Sequence, residues 1–246
     1  MKQILPIIFL LILIVGLCAG CANPNAQNTK GDQHFDSFVI KAASTPVGRL
    51  YYIHGYYNTI DSFRQMQYPA QLEAQFHAKG WEIVYIDWPA LNPAIGASTF
   101  SSDQGKAYVD SFKSFMTKLD ASLAPVPKTV IGGFSFGGIH SVWAAEAIHA
   151  DAVFAMQPVV IVSALTEFKG LDTTYADMAS HVIPQNFWMA YGTLDDRVDG
   201  PMDATIPALQ PYLHAYVTDH TANYNTGGAE NADMEAWLNQ TLIGGF

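Results

Sequence analysis

Cysteine is nearly missing from this chain of 246 residues: there are two, Cys18 and Cys21, both among the first 21 residues. From residue 22 onward the chain can form no disulfide, no thiolate metal site and no cysteine nucleophile. A domain without disulfides rests on its apolar core, and this length is enough to build one. Basic residues are scarce too. Lysine and arginine number 12 against 22 acidic residues, a formal net charge of −10, and no Lys/Arg-rich run occurs. That excludes nucleic acid as a partner, because phosphate binding needs a basic surface. Charged residues of both signs make up only 14% of the chain and apolar residues 50%, which excludes long disordered regions. There is no internal repeat, and the histidines show no His-x-x-x-His spacing. No metal and no cofactor are therefore expected. No residue pattern sets an oligomeric state.

One long apolar run is present, at the start. Met1-Lys2-Gln3 carries a positive charge, Ile4 to Leu17 is almost wholly apolar, and small residues follow up to Cys21. This is the form of a secretory signal. Its end resembles a bacterial lipobox, which implies lipidation at Cys21 and a mature chain beginning there. Cleavage without lipidation and a retained anchor are the other outcomes the run admits, since it is near the lower length limit for a spanning helix. The protein is expected to be exported, to the bacterial cell envelope if lipid-anchored at Cys21 and otherwise to the periplasm or outside the cell. It would touch the membrane only through this lipid or signal segment. Residues 22–34, rich in Asn, Gln, Thr and Gly, read as a flexible tether. A single domain is expected over 35–246.

The domain is organised around Lys128 to Gly138. Thr129-Val130-Ile131 reads as a strand that stops at Gly132-Gly133, Ser135 follows, and a helical run extends from Ile139 to His149. A Gly-x-Ser-x-Gly turn between strand and helix puts a serine hydroxyl on a tight, strained bend at the sheet edge. Gly133 and Gly137 stand where a Cβ would obstruct the closing of strand on helix. The other elements alternate in the same manner. Strands are expected at Phe35–Ala42, Arg49–Ile53, Trp81–Asp87, Asp151–Met156, Asn186–Tyr191 and Ala215–Thr218. Helices are expected at Pro69–Lys79, Asp103–Leu123 and Asn231–Ile243, the last with Asn231 as N-cap. Tyr108, Phe112, Phe115 and Leu119 recur at helical spacing and read as core.

Gly133-Phe-Ser-Phe-Gly137 in this setting resembles the nucleophile elbow of the α/β-hydrolase superfamily. The resemblance implies an α/β fold with a mostly parallel central sheet, helices on both faces, and a small or absent lid within residues 159–184. It implies an oxyanion hole made by the backbone N–H of Tyr56, after the His54-Gly55 pair, and the N–H of Phe136, just after the serine. It implies an acid at Asp195, because Gly192, Asp195 and Val198 fall on the family's Gly-x-x-Asp-x-x-Val spacing, with Asp196 as understudy. It implies a last histidine, His220, beyond the final strand. His214 precedes that strand and reads as structural. His54 and His140 read as packed.

In these roles Ser135 would attack an ester carbonyl, His220 would move its proton, and Asp195 would hold the imidazole. Tyr57, Trp88, Met156 and Gln157 would line an aromatic-rich pocket suited to a small, uncharged ester substrate. The expected activity is that of a serine carboxylic ester hydrolase. Thioester, amide, peptide or polyester hydrolysis uses the same triad, and a non-catalytic surface lipoprotein on the same scaffold is the alternative from another class. Serine rather than aspartate at the elbow argues against dehalogenase or epoxide hydrolase chemistry.

Overall fold

The structure is a computed structural model that describes residues 26–30, 35–56, 58–88, 102–162, 176–195, 206–217, 219 and 229–242. Cys21, Tyr57, Asp196, Val198 and His220 lie outside the described residues. Eight strands form one sheet: β1 (Ala26–Lys30), β2 (Asp36–Ile40), β3 (Gly48–Ile53), β4 (Trp81–Asp87), β5 (Thr129–Phe134), β6 (Ala152–Met156), β7 (Phe187–Gly192) and β8 (Leu213–Tyr216). Their order across the sheet is β1-β2-β4-β3-β5-β6-β7-β8. Strand β2 runs antiparallel to both β1 and β4, and all pairings from β4 to β8 are parallel. The mostly parallel α/β sheet is as expected.

The central strands are buried on both faces, which is why they read as continuous apolar runs. Their side chains alternate between two cores. Tyr51, Ile53, Val84, Ile86, Ile131, Val153 and Ala155 join one; Leu50, Tyr52, Ile83, Tyr85, Val130, Phe154 and Met156 join the other. Helices α3 (Ser102–Ser122) and α4 (Phe136–Ala147) cover the first through Phe112, Phe115, Ile139 and Trp143. Helices α2 (Gln67–Ala78) and α5 (Ala229–Thr241) cover the second through Leu72, Phe76, Met234 and Leu238. A short helix, α1 (Ile60–Arg64), was not anticipated. A capping box starts it, with Thr59 and Ser62 each bonding the other's backbone N–H.

Four expectations are corrected. Part of the predicted tether is the edge strand β1, paired along its length with β2; edge pairing needs only main-chain groups, so polar composition did not forbid it. Strand β5 does not stop at Gly132-Gly133 but continues to Phe134. A Cβ on Gly132 would lie 2.0 Å from the Phe154 ring, so that glycine makes room for a neighbour instead of ending the strand. The last strand begins at Leu213, which places His214 inside it, opposite Ala190 and stacked on Trp188. Asn231 is not a cap: it lies inside α5 and is buried.

At the N-terminal ends of β3 and β4 lies an ion network around the buried Arg49 and Glu82. Arg49 donates to Glu82 (2.7 Å), Asp120 (3.3 Å) and the Ala124 carbonyl (2.6 Å). Lys41 bonds the second Glu82 oxygen at 2.7 Å, and the Tyr51 hydroxyl donates to Asp120 at 2.6 Å. Burial, then the bond to Asp120, pushes the Tyr51 phenol up and keeps it a donor.

Candidate active site

The sheet order reverses at β3, with β4 on one side and β5 on the other. At such a point the loops leaving neighbouring strands part and open a crevice at the carboxyl ends. The loop after β3 is His54-Gly55-Tyr56, and the turn after β5 is Ser135. They are in contact: a Cβ on Gly55 would sit 3.2 Å from the Ser135 Cβ and 3.1 Å from the Phe134 ring. Asn58 N–H closes the loop on the Gly55 carbonyl at 3.2 Å.

Ser135 has φ 53° and ψ −122°. A side chain in such a region costs on the order of 1–3 kcal/mol and persists only where the surroundings enforce it. Here they do. Ser135 N–H donates to the Met156 carbonyl at 3.0 Å, and its own carbonyl accepts from Gly138 N–H at 2.9 Å and Val159 N–H at 3.0 Å. The flanking glycines are required by backbone contact. A Cβ on Gly133 would lie 1.9 Å from the Gly137 oxygen, and one on Gly137 2.3 Å from the Ile53 oxygen. Phe136 opens α4, where helix geometry gives its N–H no acceptor within the helix. The helix directs its positive dipole end at the serine. Ser135 is only 7% exposed.

Asp195 is buried in the turn after β7, its N–H bonded to the Gly192 carbonyl at 3.1 Å. Thr193 N–H reaches across to the Tyr216 carbonyl of β8 at 2.8 Å. Strands β5 and β7 flank β6, so their ends stand about 10 Å apart. An imidazole between hydroxyl and carboxylate spans such a gap. The residue assigned as that imidazole, His220, lies outside the described residues, as do Tyr57 and Asp196.

Trp88 and Met156 are fully buried. Trp88 donates its indole N–H to the His54 carbonyl at 2.9 Å. Its ring stacks on His54, Phe136 and His140 at 5.4, 5.2 and 4.6 Å. The half-buried Tyr56 ring meets Phe136 at 6.0 Å and Trp88 at 6.2 Å. His54 is tied at both nitrogens, to the Gly55 carbonyl at 2.8 Å and to Asp87 at 2.9 Å. His140 is buried, with Nδ1–H donating to the Phe136 carbonyl at 2.8 Å and Nε2 accepting from Tyr108 at 3.0 Å. Burial pulls its pKa down to about 3, so it is neutral. Both histidines brace the site, as packed residues.

Gln157 follows β6 with φ 45°; it and Ser135 are the two non-glycine residues with positive φ among those described. Its backbone N–H bonds the Ala190 carbonyl at 2.8 Å, while the residue is 1% exposed and neither the carboxamide nitrogen nor its oxygen has a partner among the described residues. Sequence reading marked Gln157 as a pocket residue but held no sign of its backbone strain. It missed the His54–Asp87 pair and the close approach of Gly55. The only trace was position, since Asp87 ends a strand on the ligand-binding side. Among the described residues no group of three or more His, Cys, Asp or Glu could hold a metal. Glu146 and His149 stand at Glu-x-x-His spacing, but Glu146 is engaged by Lys113 and His181, and His149 faces Asp151.

No protein family and no curated protein matches the sequence. Solved structures do match. Esterase 2 of Thermogutta terrifontis is 18% identical, covering 90% of this chain and 95% of its own, with a TM-score of 0.57. A bacterial heroin esterase is 14% identical over 92% of this chain and 86% of its own, with a TM-score of 0.58. A prolyl endopeptidase is 16% identical over 89% of this chain and 38% of its own, with a TM-score of 0.57. The chain has the α/β-hydrolase fold.

Proposed function

We propose that this protein is a serine hydrolase acting on small, uncharged carboxylic esters. The observation that carries the reading is Ser135. It is a serine held in a costly backbone conformation, at the mouth of a helix and against the Gly55 loop, by glycines that tolerate no Cβ. A fold has no structural use for that strain, whereas a nucleophile raised above the sheet edge does. In the proposed cycle Ser135 Oγ attacks the carbonyl carbon and His220 takes the hydroxyl proton. The N–H groups of Tyr56 and Phe136 stabilise the tetrahedral oxyanion. His220 then protonates the departing alcohol, and water releases the acid from the acyl-enzyme by the same steps. Asp195 fixes the imidazole tautomer and balances its charge. The buried position of Asp195 two strands from Ser135 supports this assignment. Independently, the apolar run ending at Cys21 supports a lipid-anchored place in the bacterial cell envelope, or otherwise a periplasmic or secreted one.

The test is hydrolysis of a p-nitrophenyl ester series from short to long acyl chains, with p-nitroanilides in parallel and fluorophosphonate labelling alongside. Wild type is expected to cleave the esters and take the label, and Ser135→Ala and His220→Ala to do neither. Cleavage of anilides but not esters would move the activity to amide bonds. A folded wild type inert to every substrate and to the label would end the hydrolase reading in favour of a binding role.

A further inference from the structure

We infer that the Gln157 carboxamide recognises the substrate, and that the substrate bears its own hydrogen-bonding group, a hydroxyl or an amide, beside the scissile carbonyl. The inference rests on the serine-hydrolase reading and adds a substrate class to it. Gln157 combines two features that folded proteins avoid. Its backbone lies in the left-handed region at φ 45°, where side chains other than glycine are uncommon. The residue is 1% exposed, with the donor and acceptor of its amide both unpartnered among the described residues, although buried polar groups are bonded almost without exception. The residue flanks the nucleophile through the main chain: Met156 accepts from Ser135 N–H, and Val159 donates to the Ser135 carbonyl. Pro158 wedges the segment against α4, so tightly that a Cβ on Gly138 would lie 2.5 Å from the proline ring.

Other buried polar atoms without partners, the Asn231 amide and the Trp188 indole N–H, sit on ordinary helix and strand backbone, away from this turn. At Gln157 the strain and the unmet hydrogen bonds fall together, one residue beyond the Met156 carbonyl that holds the Ser135 N–H. Ser135 is itself only 7% exposed, so the serine and the amide are both enclosed. An amide presents one donor face and one acceptor face. A hydroxyl or an amide on the substrate satisfies both, and a plain alkyl chain satisfies neither. A site with buried polar groups discriminates strongly against ligands that leave them unpaired.

The experiment compares p-nitrophenyl butyrate, 3-hydroxybutyrate and N-acetylglycinate, which share a leaving group, using the full-length protein. Each kcat/KM is divided by the ester's hydroxide-catalysed rate. Wild type is expected to favour the hydroxy and amide esters by roughly tenfold to hundredfold. Gln157→Met is expected to abolish that ratio while its urea midpoint stays at or above that of wild type. The inference is overturned by a wild type without the preference, a measurement that needs no variant. It is also overturned by a variant that keeps the preference, or by one whose urea midpoint drops, which would give the amide a structural role. In those cases ester turnover and fluorophosphonate labelling still stand, and only the substrate class falls. A folded wild type with neither removes the hydrolase reading and this inference together.

Discussion

At the N-terminal ends of β3 and β4, the buried Arg49 guanidinium meets Glu82, Asp120, Tyr51 and a backbone carbonyl, and Lys41 takes the remaining Glu82 oxygen. At the C-terminal ends of β5 and β6, Ser135 and Gln157 sit in disfavoured backbone conformations, and the Gln157 amide has no partner among the described residues. Both ends bury polar groups in the same sheet. One end bonds its buried charges to one another within the fold. The other leaves strain and bonding capacity unspent, as expected where a ligand completes the structure. A stabilising role and a chemical role thus separate along the strand axis.

If that separation holds, substitutions at one end change turnover and those at the other change stability. Ser135→Ala should lower kcat by roughly 10⁴-fold or more with an unaltered urea midpoint; a parallel loss of stability would break the contrast. Glu82→Met should cost about 3–5 kcal/mol in urea unfolding, because it removes the buried partner of Arg49 at 2.7 Å and leaves only the longer contact to Asp120 at 3.3 Å. The double variant Arg49→Met/Glu82→Met should recover most of that, with kcat near wild type throughout. Tyr56→Pro removes one proposed oxyanion donor and should lower kcat by about 10²–10³-fold. Tyr56→Phe keeps the N–H and should stay close to wild type, so equal losses in the two would discard this donor.

His140 supplies a pH-dependent test. Burial keeps it neutral in the folded state down to about pH 3, whereas the unfolded chain takes up its proton near the ordinary value of 6.5. The unfolded state therefore binds more protons between those values. Stability from this group is full above pH 6.5 and falls as the pH is lowered toward 3, by up to about 1.4 kcal/mol per pH unit. His140→Gln should flatten the urea midpoint against pH in this window, and an unchanged slope would refute the buried neutral state. The smallest change in stability is expected from Ser135→Gly, which relieves the positive φ and should raise stability by about 1 kcal/mol while abolishing turnover.

Much of the fold was legible where neighbouring residues decide the outcome. Trp81–Asp87 was read to the residue as β4, because its continuous apolar, β-branched and aromatic run has few alternatives. The order of strands and helices followed in the same way. The errors share a cause. Gly132 looked like a stop, yet its missing side chain makes room for Phe154 from the next strand. Asn231 looked like a cap, yet α5 starts two residues earlier and buries it. His54 and Asp87 lie 33 positions apart, so no spacing rule could pair them.

By itself the sequence determined the succession of elements, the need for glycine at 133 and 137 around a strand-to-helix turn, and the absence of cysteine chemistry beyond residue 21. These depend on covalent sterics, local propensity and composition, which act between near neighbours in the chain. Only the tertiary structure decided that Gly55 rests on Ser135, that His140 is neutral, and that Gln157 is strained and unpartnered. Desolvation and hydrogen-bond satisfaction depend on which distant segments close over a group, and that is settled when the sheet is assembled.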